Sequence, residues 1–194
     1  PKIERSMART IRLRPWQKEA LERFRTKAAA TPPGDGGADF LAVATPGAGK
    51  TTFALTAALH WLTDRPDARL VVVAPTQHLK RQWAQNAAEF DLALEPFWKP
   101  GDALPADMDG IVTTYQQVAS NPVALAQVAH RGFVVLDEVH HAGDDRAWGD
   151  GLRVAFSGAE ARLSLSGTPF RSDTNPIPFV AYEWEEAGPD FEYG

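Results

Sequence analysis

The chain has 194 residues, 44% hydrophobic and 23% charged, with no cysteine and a formal net charge of −5 from 20 basic and 25 acidic residues. That length suits one domain, two at most, and buries on the order of 70% of the unfolded surface, so no disulfide or structural metal is needed. The composition excludes collagen-like, disulfide-framework and wholly disordered classes. No run of about 18 apolar residues exists, which predicts no membrane span or membrane partner. The first residues, Pro1-Lys2-Ile3-Glu4-Arg5, lead into no apolar signal segment. Without cysteine, thiolate chemistry is excluded and the reducing cytoplasm is the expected location. An acidic chain does not live by bulk attraction to nucleic acid, so any such contact must be local.

Charge is uneven along the sequence. Residues 2–27 hold nine Lys or Arg against three Glu, and Glu183, Glu185, Glu186, Asp190 and Glu192 crowd the other end. Both stretches read first as solvated faces, a basic first helix and an acidic tail. Within 1–30, Trp16, Ala20, Leu21 and Phe24 fall at helical spacing. Thr31-Pro32-Pro33-Gly34-Asp35-Gly36-Gly37 then breaks any regular structure, because Pro removes a donor and Gly adds backbone freedom.

Short apolar runs now alternate with longer helical patterns. Strands are predicted at 40–44, 70–74, 111–114, 133–137 and 162–166. Helices are predicted over 50–62 and 76–89, near Gln116, and over 123–129. The stretch from Lys99-Pro100-Gly101-Asp102 to Asp109-Gly110 reads as a second loop. Strands that are apolar throughout are covered on both faces, and strand–helix alternation builds parallel βαβ units. The expectation is an α/β domain with a mostly parallel central sheet and helices on both faces. In such sheets ligands collect at the carboxyl ends of the strands.

Two motifs stand at those ends. Ala44-Thr45-Pro46-Gly47-Ala48-Gly49-Lys50-Thr51 follows the first strand and opens a helix; it fits the phosphate-loop pattern, with Ala44 where the strict form has Gly. Gly47 and Gly49 let amide hydrogens turn inward, the helix start adds its positive dipole end, Lys50 reaches the outer phosphates and the Thr51 hydroxyl holds Mg²⁺. The expected nucleotide contacts are Pro46, Gly47, Ala48, Gly49, Lys50, Thr51 and Thr52. The second motif is Phe133-Val134-Val135-Leu136-Asp137-Glu138-Val139-His140, an apolar strand ending in two carboxylates. Asp137 at the tip suits the Mg²⁺ shell opposite Thr51, and Glu138 suits the general base that polarises water. His140-His141 has no spaced His or Cys partner, so a polar relay is expected there rather than zinc.

With these motifs in place, the order Arg14-Pro15-Trp16-Gln17, 44–51, Ala74-Pro75-Thr76-Gln77, Thr113-Thr114-Tyr115-Gln116, 137–140 and Ser166-Gly167-Thr168-Pro169-Phe170-Arg171 resembles superfamily 2 helicases and translocases of the DEAH type. Restriction-enzyme motor subunits and excision-repair helicases look most similar. The resemblance runs from residue 12 to about 175. It implies a RecA-like P-loop domain over 1–194, with ATP and Mg²⁺ as cofactors and the residues after 171 as an acidic extension (172–194). It implies that Gln17, supported by Arg14, reads adenine; the alternative is a Gln that caps the first helix. Thr76, Gln77 and Thr114 resemble contacts to a nucleic-acid strand, where a hydroxyl beside amide hydrogens binds phosphate without bulk charge. Lys80 and Arg81 add local charge there or form a solvated helix face. His140, Ser166 and Thr168 resemble residues that couple hydrolysis to strand movement.

Two departures bear on function. Gln77-His78 stands where many relatives carry an Arg-containing pair, and the acidic motif lacks the Asp-Glu-Ala-Asp form of RNA-dedicated members, which points to DNA. Such motors also need a second, similar domain that supplies arginines to the γ-phosphate, and only 23 residues follow Arg171. The expectation is therefore the first motor domain of an ATP-dependent DNA helicase or translocase, binding ATP and turning it over weakly by itself. Competing readings are a nucleotide-gated binding module with little hydrolysis, and an unrelated P-loop enzyme that would need an acceptor lid.

Overall fold

The computed structural model describes residues 12–45, 47–140, 146–167 and 191–193, with Arg146 and the last three described by backbone alone. The elements in chain order are α1 (Pro15–Ala30), β1 (Ala38–Ala44), α2 (Lys50–Thr63), β2 (Leu70–Ala74), α3 (Gln77–Ala88), β3 (Leu94–Glu95), β4 (Gly110–Thr114), α4 (Tyr115–Ser120), α5 (Pro122–Ala129), β5 (Phe133–Leu136), α6 (Arg146–Phe156), β6 (Ala161–Ser166) and β7 (Phe191–Tyr193).

One sheet holds all seven strands in the order β3-β4-β2-β5-β6-β1-β7. The first six are mutually parallel. Only β7 runs antiparallel, with Ala42 opposite Tyr193 and Ala44 opposite Phe191. The acidic end, read from sequence as a solvated tail, thus contributes a strand. Its position has a physical reason: β1 would otherwise leave a row of unpaired backbone groups along the sheet edge.

Side chains alternate across the sheet and build two cores. Leu70, Val72 and Ala74 of β2 join Phe24, Phe53, Trp61 and Trp83 on the face covered by α1, α2 and α3. Val71 and Val73 join Tyr115, Leu125, Leu152 and Phe156 on the face of α4, α5 and α6. This is the expected doubly covered sheet, and it accounts for strands with no polar face. No helix among the described residues is long and apolar enough to cross a membrane.

Besides β7, two described elements lay outside the sequence reading. The two-residue β3 is too short to show alternation. The helix α6 contains Gly149 and Gly151, which weaken any helical signal. Gly151 has a packing reason: a Cβ there would stand 2.9 Å from the Cα of Ala119, so only glycine lets α6 lie this close to α4.

Candidate active site

The carboxyl ends of β1, β5 and β6 converge. The phosphate loop leaves β1 and turns twice through left-handed glycines, Gly47 at φ 79° and Gly49 at φ 92°. Ala48 N–H donates to the Thr45 carbonyl at 3.1 Å, closing the turn. The helix α2 then begins at Lys50 with Gly49 as its cap and no side chain capping its amides. A helix start left in this way is suited to an anion. Thr51 and Thr52 sit half-buried in the first turn.

The loop is gripped from outside by α1. Arg14 Nη1 donates to the Gly47 carbonyl at 2.9 Å. Trp16 Nε1 donates to the Ala48 carbonyl at 3.0 Å. Gln17 Nε2 donates to the Gly49 carbonyl at 2.8 Å, and its Oε1 accepts from Arg14 N–H at 2.7 Å. Gln17 is only 2% exposed. Both ends of its amide are thus engaged within the chain, one capping α1 and one holding the loop. The amide keeps a second N–H and a second lone pair, so an adenine contact would be made through those in addition to these two bonds.

Lys50 Nζ donates to the Ala44 carbonyl at 3.0 Å. Gly167, the residue after β6, locates the rest. A Cβ built there would lie 3.0 Å from Lys50 Nζ and 3.8 Å from Glu138 Oε1. The lysine of the loop and the glutamate of the acidic motif therefore face one point, and a side chain at 167 would occupy it.

Asp137 and Glu138 follow β5. Asp137 N–H donates to the Val73 carbonyl at 2.9 Å, continuing the sheet pairing. Its Oδ2 accepts from Trp83 Nε1 at 2.8 Å, and its carbonyl accepts from the Tyr115 hydroxyl at 2.6 Å. Burial pushes the Asp137 carboxyl above the usual range, and the Glu138 charge pushes the same way; the Trp83 bond, the Glu138 amide and the Lys50 charge pull back. Burial, reinforced by these two carboxylates, drives the Tyr115 hydroxyl well above its ordinary value. Glu138 itself is held at φ 47°, a left-handed conformation that costs a non-glycine residue roughly 1–2 kcal/mol. Backbone strain of this kind concentrates at functional sites. His140 Nδ1 lies 3.4 Å from Glu138 Oε2.

The residues expected at a nucleic-acid strand divide. Thr76 and Gln77 are exposed at the start of α3, and the Thr76 hydroxyl accepts from Leu79 N–H at 3.2 Å. Thr114 is buried, its hydroxyl accepting from Gln117 N–H at 3.3 Å. Lys80 is buried rather than part of a solvated face; burial lowers its pKa, Arg81 adds to that and Glu95 opposes it. Arg81 lies over the exposed Phe97 ring, 5.5 Å from its centre. Ser166 is fully buried at the end of β6, level with Val43. Pro46 and Thr168 lie outside the described residues. The sequence reading missed Trp83 as a partner of Asp137; no local pattern signals a contact 54 positions apart.

The donor set fits a magnesium nucleotide: left-handed glycines, an uncapped helix start, a lysine and a raised carboxylate within reach of its charge. Comparison with known proteins agrees in fold. The family model described as "Type III restriction enzyme, res subunit" matches residues 10–171. An uncharacterized protein of Mycobacterium tuberculosis (strain ATCC 25618 / H37Rv) is 46% identical over 179 residues, covering 91% of this chain and 28% of that protein. An uncharacterized protein of Mycobacterium leprae (strain TN) is 45% identical over the same length, covering 91% and 29%. The chain therefore spans under a third of these relatives. Among solved structures, the Sulfolobus solfataricus SWI2/SNF2 ATPase core in complex with dsDNA superposes with a TM-score of 0.63 at 21% identity, covering 82% of this chain and 32% of that one. The Pyrococcus furiosus Hef helicase domain gives 0.59 at 22%, covering 82% and 34%. The UvsW helicase from Bacteriophage T4 gives 0.58 at 16%, covering 81% and 53%. On the family match over residues 10–171, the chain belongs to the Type III restriction enzyme res subunit family, and its fold is the one shared by the helicase and ATPase cores on which it superposes.

Proposed function

We propose that this chain is the ATP-binding first motor domain of an ATP-dependent DNA helicase or translocase. The observation that carries the reading is the convergence of Lys50 and Glu138 on the space beside Gly167. A binding loop alone needs no carboxylate there; a hydrolytic site does.

In this reading the amides around Gly47, Ala48 and Gly49 and the start of α2 hold the phosphates, with Pro46 and Thr52 as further nucleotide contacts. Lys50 exchanges its bond to the Ala44 carbonyl for a phosphate oxygen. Thr51 and Asp137 would hold Mg²⁺, which when bound neutralises charge on the phosphates. Glu138 accepts the proton of the attacking water, and His140 beside it receives or shares that proton. Arg14 and Gln17 keep the loop in shape. Thr76 and Gln77 would meet the nucleic-acid strand directly, Thr114 would support that contact through the backbone it caps, and His140, Ser166 and Thr168 would connect strand and nucleotide. DNA is the polymer the acidic motif favours, as in the dsDNA complex of the structural relative. The domain extends over 1–194, and a second RecA-like domain elsewhere supplies arginines worth about 10³–10⁵ in rate.

The test has two arms. Lys50→Ala should abolish ATP binding; unchanged affinity overturns the site. Steady-state ATPase of the 194 residues, with and without DNA, should be weak in both; robust DNA-stimulated turnover overturns the incomplete motor.

A further inference from the structure

The Asp137–Glu138 pair is held by two buried side chains that the proposed chemistry does not use. Trp83 is 3% exposed and donates its indole N–H to Asp137 Oδ2 at 2.8 Å. Tyr115 is 1% exposed and donates its hydroxyl to the Asp137 carbonyl at 2.6 Å. Each belongs to a helix capped by a residue assigned to the strand side, Thr76 for α3 and Thr114 for α4. Trp83 lies two turns into α3, the helix that starts at the exposed Thr76 and Gln77. Tyr115 directly follows Thr114.

The two bonds do different work. The Trp83 bond fixes the rotamer of the carboxylate proposed for Mg²⁺ and, by donating to its charged form, opposes the effect of burial. The Tyr115 bond fixes the peptide that joins Asp137 to Glu138. That peptide precedes the left-handed Glu138, so its orientation sets where the Glu138 carboxylate goes. Stacking fixes the Tyr115 ring in turn: Trp148 lies parallel to it, at an interplanar angle of 7° and a centroid distance of 6.0 Å. A shift of α3 along its axis must move the indole against Asp137, because close-packed interiors transmit displacement rather than absorb it.

We infer that Trp83 and Tyr115 are positioning residues through which an occupied strand site acts on the Mg²⁺ carboxylate and the general base, so that nucleotide and nucleic acid bind with mutual dependence. This rests on the reading under Proposed function. Contiguity gives the route, and only a measured coupling tests it. Linkage is reciprocal, so it can be read from binding without turnover.

The experiment measures the affinity of this chain for a fluorescent non-hydrolysable ATP analogue with Mg²⁺, in the absence and presence of saturating oligodeoxynucleotide. The wild-type ratio should be about fivefold or more, the low end of ordinary allosteric coupling. Tyr115→Phe keeps its ring, Trp83→Phe keeps a smaller aromatic ring, each loses one donor, and each should bring the ratio below about twofold. In EDTA the wild-type ratio should itself collapse, since the route ends at the metal carboxylate. A wild-type ratio near one with both ligands bound overturns the inference and leaves the nucleotide site standing. A ratio retained by both variants overturns it equally. Wild-type protein that binds no nucleotide overturns the reading on which the inference rests. Thermal melting identifies a variant that fails to fold, and the other variant then decides.

Discussion

Gln17 Nε2 donates to the carbonyl of Gly49 at 2.8 Å, and a Cβ on Gly49 would collide with that same nitrogen. The pair makes the shape of the phosphate loop depend on a side chain outside it. Gly49→Ala forces a methyl against a buried amide at φ 92° and costs roughly 1–2 kcal/mol in backbone strain alone. Gln17→Ala leaves a carbonyl and the Arg14 amide without their partner, at about 1–3 kcal/mol. Both variants should bind ATP more weakly than wild type, with Gly49→Ala the more severe. A fluorescent-nucleotide titration of Gly49→Ala that matched wild type would show that the loop does not need this conformation.

Glu138→Gln keeps the shape of the side chain and removes its basicity. It should leave ATP binding intact and lower hydrolysis by about 10²–10⁴, the usual contribution of a general base. Single-turnover measurement with excess protein reads this even where steady-state turnover is weak. A rate equal to wild type would move the base elsewhere.

The raised Asp137 pKa gives a dependence on both pH and metal. A carboxyl raised in the folded state contributes stability below its ordinary value of 3.8, and that contribution is lost as pH rises through the folded value. Once ionised in the absence of metal, Asp137 is therefore a desolvated charge beside Glu138. Asp137→Asn in EDTA should melt higher than wild type at neutral pH, and the gap should narrow on acidification as the wild-type carboxyl takes up its proton. The same variant should lose Mg²⁺-dependent nucleotide affinity. A melting temperature below wild type in EDTA at neutral pH would contradict the assignment.

Arg162 makes a prediction at the opposite end of the sheet. It is 3% exposed, pairs with Asp39 at 2.6 Å, and donates to the carbonyls of Gly36 at 2.6 Å, Phe156 at 2.9 Å and Ala159 at 3.2 Å. The Asp39 side chain is 37% exposed, so the cost of losing Arg162 comes mainly from the three carbonyls left without its donors, at about 1–3 kcal/mol for each buried group and roughly 3–5 kcal/mol together. Arg162→Ala should lower the melting temperature by roughly 6–20 °C for a chain of this size. Scanning calorimetry showing a change under about 2 °C would mean that these carbonyls find solvent instead.

The strands were legible because burial on both faces leaves a continuous apolar run. Leu70-Val71-Val72-Val73-Ala74 could be bounded from sequence to the residue. The phosphate loop was legible for another reason: left-handed backbone demands glycine, and that demand is written into Gly47 and Gly49. What escaped depends on distant partners. Nothing local marks Gly151 as the point where α6 meets Ala119, so its glycine argues against the helix that needs it. Arg14, Trp16 and Gln17 reach backbone carbonyls, which every sequence supplies and no sequence advertises.

Those three bonds also govern where this domain can be trimmed. The residues that hold the loop lie 32 or 33 positions ahead of the carbonyls they hold, across a proline- and glycine-rich turn. An expression boundary placed at β1 would keep every strand and both glycines of the loop. It would still yield a protein whose triphosphate cradle has lost its outer brace, so the first helix must travel with any minimal fragment meant to bind nucleotide.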